Sequence, residues 1–215
     1  MSPVSVIIAD DHPIFRRGLR DTIESSEHFS VVGEAEDGGA AMARIDEFQP
    51  RLAVIDLAMP GADGFAVTSW AGEHHPETMC VIMTMYTEQA YLERAVDLGA
   101  YGFLVKDDAQ SDLIRCLELV DSGEFYLSPS VGTPRPRPPS PDTDPADLGA
   151  IDRLTPAQRE ILRQLSQYKT SKEIARTLNV SPKTVENHRL NISSELELHG
   201  RNKLLQFAVR TRHLL

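Results

Sequence analysis

The chain carries 22 Lys+Arg against 32 Asp+Glu in 215 residues, a formal net charge of −10, and 41% of its residues are hydrophobic. That length holds one large domain or two small ones, and the apolar share is that of an ordinary soluble globular protein. No apolar run approaches the ~20 residues of a membrane-spanning helix, and Met1-Ser2-Pro3 leads directly into a strand pattern, so a cytoplasmic protein with no membrane partner is expected.

The first half alternates short apolar runs, near residues 4–9, 30–35, 52–56, 79–84 and 102–105, with amphipathic segments of helical length. This pattern predicts an α/β unit, a five-stranded parallel sheet covered by helices on both faces. The ends of these runs carry the chemistry. Asp10-Asp11 come directly after the first, Asp56 closes the third ahead of the turn Leu57-Ala58-Met59-Pro60-Gly61, Thr84 closes the fourth, and Lys106 comes directly after the fifth. In a parallel sheet those ends share one edge, where open α/β sheets place their sites. One Asp at a strand end is ordinarily a turn or cap residue. Turn chemistry does not explain why acid, hydroxyl and lysine recur at successive ends. Three carboxylates, one hydroxyl and one ammonium suit an aspartyl phosphate at Asp56, with a hard divalent cation, Mg2+, easing repulsion among Asp10, Asp11 and Asp56. His12-Pro13 reads as the start of a helix, and His12 receives no catalytic role.

On these residues, positions 1 to about 127 resemble the receiver domain of bacterial two-component response regulators. The resemblance implies a flavodoxin-like fold with strand order 2-1-3-4-5. It also implies magnesium held by Asp10 and Asp11, and a phosphoryl group accepted by Asp56 from a sensor histidine kinase and contacted by Thr84 and Lys106. Phe103, three residues before the lysine, takes the place of an aromatic switch. Met85 is bulkier than the small residue many receivers carry after this threonine, which narrows access to the phosphoryl site.

Charge divides the chain. Residues 1–127 hold 8 Lys+Arg against 23 Asp+Glu, a net of −15, while residues 151–215 hold 12 against 6, a net of +6. Two domains with different partners are expected, the second partner polyanionic. Between them, residues 128–150 contain Pro129, Pro134, Pro136, Pro138, Pro139, Pro141 and Pro145. So proline-rich a run, with few apolar residues, predicts a semi-rigid extended spacer. Cys80 falls in a strand and Cys116 in a helix, without metal-ligand spacing, so buried free thiols are expected.

Residues 151–215 read as all helix. Thr155-Pro156-Ala157-Gln158 and Thr170-Ser171-Lys172-Glu173 are capping boxes, and Ser181-Pro182 places an N-cap before proline at the first helical position. Helices are expected over 156–167, 171–178, 182–196 and 201–212, the second and third joined by a turn short enough for a helix-turn-helix. Projected at about 100° per residue, the third turns Val185, Ile192 and Leu196 toward a core and Lys183, Glu186, Asn187, Leu190, Asn191 and Ser194 away from it. Asn187 suits adenine and Glu186 the cytosine amino group. Lys172, Lys183, Thr184, His188 and Arg189 are placed for phosphate.

From Leu154-Thr155-Pro156 through Lys172-Glu173-Ile174-Ala175 to Lys183-Thr184-Val185-Glu186-Asn187-His188, this half resembles the LuxR-type helix-turn-helix of the NarL/FixJ subfamily. The two resemblances imply a transcriptional regulator that dimerises on phosphorylation and sets two recognition helices one turn of double-stranded DNA apart, roughly 34 Å. Glu195 and Glu197 depart from the pattern, standing where lysine and glycine are common. Their charge is expected to weaken DNA binding by one domain, so that Glu195→Lys tightens it on every sequence. Two other classes compete: an orphan regulator indifferent to phosphate, and an enzyme with an aspartyl-phosphate intermediate. The enzyme reading lacks a second acid two residues after Asp56, since Ala58 stands there, and no enzymatic activity is expected.

Overall fold

The computed structural model describes residues 2–132, 145–200 and 202–215. The chain divides into two units, Met1–Gly132 and Thr133–Leu215. The expected spacer at 133–144 lies outside the described residues.

In the first unit, strands β1 (Val4–Ala9), β2 (Phe29–Ala35), β3 (Leu52–Asp56), β4 (Met79–Thr84), β5 (Gly102–Val105) and β6 (Tyr126–Leu127) form a parallel sheet ordered β2-β1-β3-β4-β5-β6. Helices α1 (Pro13–Glu24), α2 (Gly38–Phe48), α3 (Gly64–His74), α4 (Gln89–Asp97) and α5 (Lys106–Asp121) connect them. Every residue of β3 and β4 is buried, as unbroken apolar runs at the middle of a doubly covered sheet should be. The period of two sorts β1 between two cores. Val6 and Ile8 join Leu19 and Ile23 of α1 and Leu113 and Leu117 of α5. Ile7 and Ala9 join Ile45 of α2 and Val67 and Ala71 of α3.

The sheet has one strand more than the five expected. β6 is only Tyr126–Leu127, paired to β5 as Gly102↔Tyr126 and Phe103↔Leu127, too short to show a period in sequence. Tyr126 anchors it by donating its hydroxyl to Asp112 of α5 at 2.7 Å. Burial, then the neighbouring Asp112 carboxylate, pushes the phenol pKa up, so it stays a donor. Cys80 and Cys116 are buried and free, and burial pushes the Cys80 thiol up to about 12 and raises that of Cys116 as well. Neither thiolate forms near neutrality.

The second unit is helical: α6 (Pro145–Arg153), α7 (Pro156–Leu165), α8 (Ser171–Leu178), α9 (Pro182–Glu195) and α10 (Lys203–Arg210). Ile161, Leu162, Ile174, Val185, Ile192, Leu204 and Phe207 form its core. The spacer expected to reach residue 150 is already helical from Pro145, and Ala150, Ile151 and Leu154 join that core. Asp147 receives a two-pronged contact from Arg210 of α10, at 2.9 and 3.1 Å. Its partner lies 63 residues away, so local composition did not reveal this attachment. No helix among the described residues is long and apolar enough to cross a membrane.

Both expected capping boxes form. Thr155 accepts from the Gln158 N–H, and the Gln158 side chain accepts from the Thr155 N–H at 2.7 Å. Thr155→Ala removes one half of that reciprocal pair and is expected to cost about 1 kcal/mol. In thermal unfolding of the full chain followed by circular dichroism, the helical unit should melt lower by roughly 4–8 °C.

Candidate functional site

β2 lies on one side of β1 and β3 on the other, so chain direction reverses between β1 and β3. Ligands bind at such switch points, beyond the carboxyl ends of the strands. Asp10 follows β1 and Asp56 ends β3, placing one carboxylate on each side of the crevice. Both are buried, as are Thr84 and Phe103.

Lys106, first residue of α5, joins the two acids. Its Nζ lies 2.7 Å from Asp56 Oδ2 and 2.8 Å from Asp10 Oδ2, and 4.9 Å from the centre of the Phe15 ring. Burial disfavours the ammonium, but hydrogen bonds to Asp10 and Asp56 outweigh it and raise the lysine pKa. Burial raises the Asp56 pKa, and Lys106 opposes the rise through its hydrogen bond and charge. The other Asp56 oxygen, Oδ1, accepts a long 3.4 Å hydrogen bond from the Ala58 N–H. Removing Lys106 would leave both buried carboxylates without their cation, a loss of about 3–5 kcal/mol, whereas removing Asp56 leaves Lys106 paired with Asp10.

One ligand atom each from Asp10, Asp11, His12 and Asp56 can lie within 4.8 Å of all the others. Asp11 Oδ1 is buried without an aligned hydrogen-bond donor, its near neighbour being His12 Nδ1, and Asp10 Oδ2 meets the Lys106 ammonium. Hard carboxylate oxygens gathered in this way, one of them lacking a donor, fit a hard divalent cation such as magnesium. His12 Nδ1, 2.8 Å from Asp11 Oδ1, sits at this rim, a place that its position at a helix start did not suggest.

Thr84 Oγ1 accepts the Tyr86 N–H at 3.0 Å, which ties the loop after β4 to its last residue. Tyr86 stacks on Tyr91 of α4, ring centres 4.6 Å apart, so this loop is held on α4. Met85 is 62% exposed and lines an open groove of about 850 Å³ with Phe15 and Lys106. Phe103 is fully buried three residues before Lys106.

Two positions with no signal in the sequence also shape this edge. A Cβ at Gly64 would lie 2.6 Å from the Asp56 carbonyl oxygen and 2.9 Å from Leu57 Cα, so only glycine lets α3 start against the strand end that presents Asp56. Ser128, just past β6, gives its N–H to the Phe103 carbonyl at 2.9 Å and accepts the Val105 N–H on its hydroxyl at 2.8 Å. Ser130 then donates twice to Asp108, and the hydrogen bonds of the first unit thus continue past Leu127. A serine beside proline does not announce such a role.

In the second unit, Asn179 takes a left-handed conformation at the end of α8, and Ser181 caps α9 by accepting the Thr184 N–H at 3.0 Å. Lys172, Lys183, Glu186, Asn187 and Leu190 are exposed; Thr184, His188 and Arg189 are half-buried. Arg189, expected to face phosphate, donates to the Ser171 hydroxyl at 2.7 Å and so braces α9 against the start of α8. Glu195 has a structural task unforeseen from sequence: it accepts from the Gln158 side chain at 2.9 Å, joining the end of α9 to the capping box of α7. A lysine there would lose this bond as well as reverse a charge.

Residues 6–118 match the response regulator receiver domain family, and residues 152–208 match the bacterial regulatory proteins of the luxR family. The chain is 32% identical over 211 residues to the uncharacterized transcriptional regulatory protein YhcZ of Bacillus subtilis, covering 96% of each. It is likewise 32% identical over 215 residues to the oxygen regulatory protein NreC of Staphylococcus haemolyticus, covering 98% of this chain and 99% of that one. Among solved structures, the RcsB response regulator of Salmonella typhimurium aligns over 97% of this chain and 99% of its own, with 29% identity and a TM-score of 0.59. RcsB in a structure of two dimers bound to two parallel DNAs aligns over 97% and 98%, with 30% identity and a TM-score of 0.57.

Gly64→Ala is expected to force α3 away from β3 and destabilise the first unit by about 1–3 kcal/mol, the usual cost of overpacking. Denaturant unfolding of the full chain, with tryptophan emission reporting on Trp70 of α3, checks it. Gly72→Ala in the same helix, where a Cβ meets nothing within 4 Å, should have no such effect.

Proposed function

Because the chain belongs to the response regulators that join a receiver domain to a luxR-family DNA-binding domain, we propose that it is a transcriptional regulator switched by a phosphoryl group on Asp56. The observation that carries this reading is the contact of Lys106 with both Asp10 and Asp56, at an edge where Asp11 brings a third carboxylate within 4.8 Å of the other two. In this reading the receiver, expected over 1–127, takes in Ser128–Gly132 as well, and the DNA-binding domain, expected over 151–215, takes in α6, which shortens the expected connection of 128–150 at both ends. The chain acts in the cytoplasm, and a sensor histidine kinase, or a small acyl phosphate, is the donor.

An Asp56 carboxylate oxygen attacks phosphorus in line, the bond from phosphorus to the donor nitrogen or oxygen breaks, and an acyl phosphate is left on Asp56. Asp10, Asp11 and Asp56 are the residues that would hold Mg2+, which supplies positive charge to the phosphoryl oxygens. Lys106 turns from its shared position between two carboxylates to the new dianionic group, which carries more charge than the carboxylate it replaces. Thr84 accepts the Tyr86 N–H and keeps its own hydroxyl proton to donate to the phosphoryl group. Phe103 moves into the space that Thr84 leaves, and the surface built from α4, β5 and α5 changes with it. The output is homodimerisation and binding of double-stranded DNA through α9, with Lys172, Lys183, Thr184 and His188 toward phosphates and Glu186, Asn187 and Leu190 toward bases. Arg189 stands with the phosphate contacts and also braces α9 through Ser171.

Intact mass tests the switch. After incubation with acetyl phosphate and Mg2+, the wild type should gain one phosphoryl group, while Asp56→Asn and a chelator-treated sample gain none. A chain that gains nothing under any condition, yet binds DNA, is the phosphate-independent regulator instead.

A further inference from the structure

The outward face of α9 is polar except at one position. Lys183, Glu186, Asn187, Leu190, Asn191 and Ser194 are exposed, while Val185 and Ile192 on the opposite side are wholly buried. At about 100° per residue Leu190 falls near the middle of the outward strip, between Glu186 and Lys183. It is 67% exposed, whereas Leu162, Leu165, Leu204 and Leu205 of the same unit are buried. A lone exposed leucine needs no explanation by itself. This one has particular neighbours. Asn187 stands three residues before it and Asn191 one after, and the amide side chain of each matches N6 and N7 of adenine in the major groove. Lys183 and Glu186 pair with each other across one turn at 3.2 Å, so the uncharged residues near the middle of the strip are Leu190, Ser194 and Asn187, with Asn191 at its edge.

We propose that Leu190 is a specificity-determining residue that packs on the C5-methyl of a thymine, in an A·T-containing half-site whose adenine is read by Asn187 or Asn191. This rests on the DNA-binding reading above and adds which bases the helix selects. The thymine methyl is the one apolar group that the major-groove edges of the bases present. Cytosine at the same position lacks it and offers an amino donor that leucine cannot accept. The net charge of +6 over residues 151–215 draws the domain to a polyanion of any sequence; the uncharged centre of α9 is what discriminates.

The test uses the full chain treated with acetyl phosphate and Mg2+ to enrich duplexes from a random-sequence pool. Each thymine of the enriched site is then replaced in turn by deoxyuridine, which removes only the methyl group. At one thymine per half-site, wild-type binding should weaken about fourfold, the worth of one buried methyl. Leu190→Ala, an exposed substitution that leaves the core intact, should bind the thymine and uracil duplexes equally at that position. Equal sensitivity of both proteins at every thymine, or enriched sites with no thymine in the half-site, overturns the proposal while leaving DNA binding in place. A pool from which nothing is enriched overturns the DNA-binding reading and this one together.

Discussion

Two carboxylates buried at neighbouring strand ends repel one another, and the first unit is arranged around the cation that makes this tolerable. Lys106 Nζ sits within 2.8 Å of both Asp10 and Asp56. For one side chain to reach both, β1 and β3 must be adjacent and β5 must end on the same edge, which the order β2-β1-β3-β4-β5-β6 provides. The apolar strands on either side then have an electrostatic as well as a packing role. By keeping water from Asp10 and Asp56, they make each charge at this edge count for more than it would at an open surface.

The parts of this site that were legible in sequence are those that a strand's own residues announce. Asp56 closes a fully buried apolar run, and no packing role accounts for a carboxylate there. Asp10, Thr84 and Lys106 follow from the same pattern repeated. Gly64, Ser128 and β6 were not legible, because each depends on what lies beside it in space: the Asp56 carbonyl, the Val105 N–H and the Gly102–Phe103 edge. In the second unit the capping boxes were legible for the same local reason, being written within four residues. The intradomain bonds of Arg189 and Glu195 were not legible because their partners, Ser171 and Gln158, lie on other helices.

Those two contacts change how α9 is understood. Charge near a recognition helix invites a reading in terms of phosphate alone, yet Arg189 and Glu195 are hydrogen-bonded within the domain, one toward α8 and one toward α7. Each holds the helix at the angle from which Lys183, Asn187 and Leu190 project. A helix braced at both flanks presents its outward residues with less freedom to lose on binding, which is how a short polar strip gains selectivity.

Ser128 bears on how this protein can be taken apart. The last strand ends at Leu127, and a cut there looks harmless. It would remove the hydroxyl that accepts the Val105 N–H, one residue before Lys106, and the N–H that meets the carbonyl of Phe103. A fragment ending at Leu127 would therefore carry an orphaned donor beside Phe103 and Lys106, and its behaviour at this edge would describe the cut. The smallest faithful fragment of the first unit runs through Gly132, keeping Ser130 on Asp108 as well.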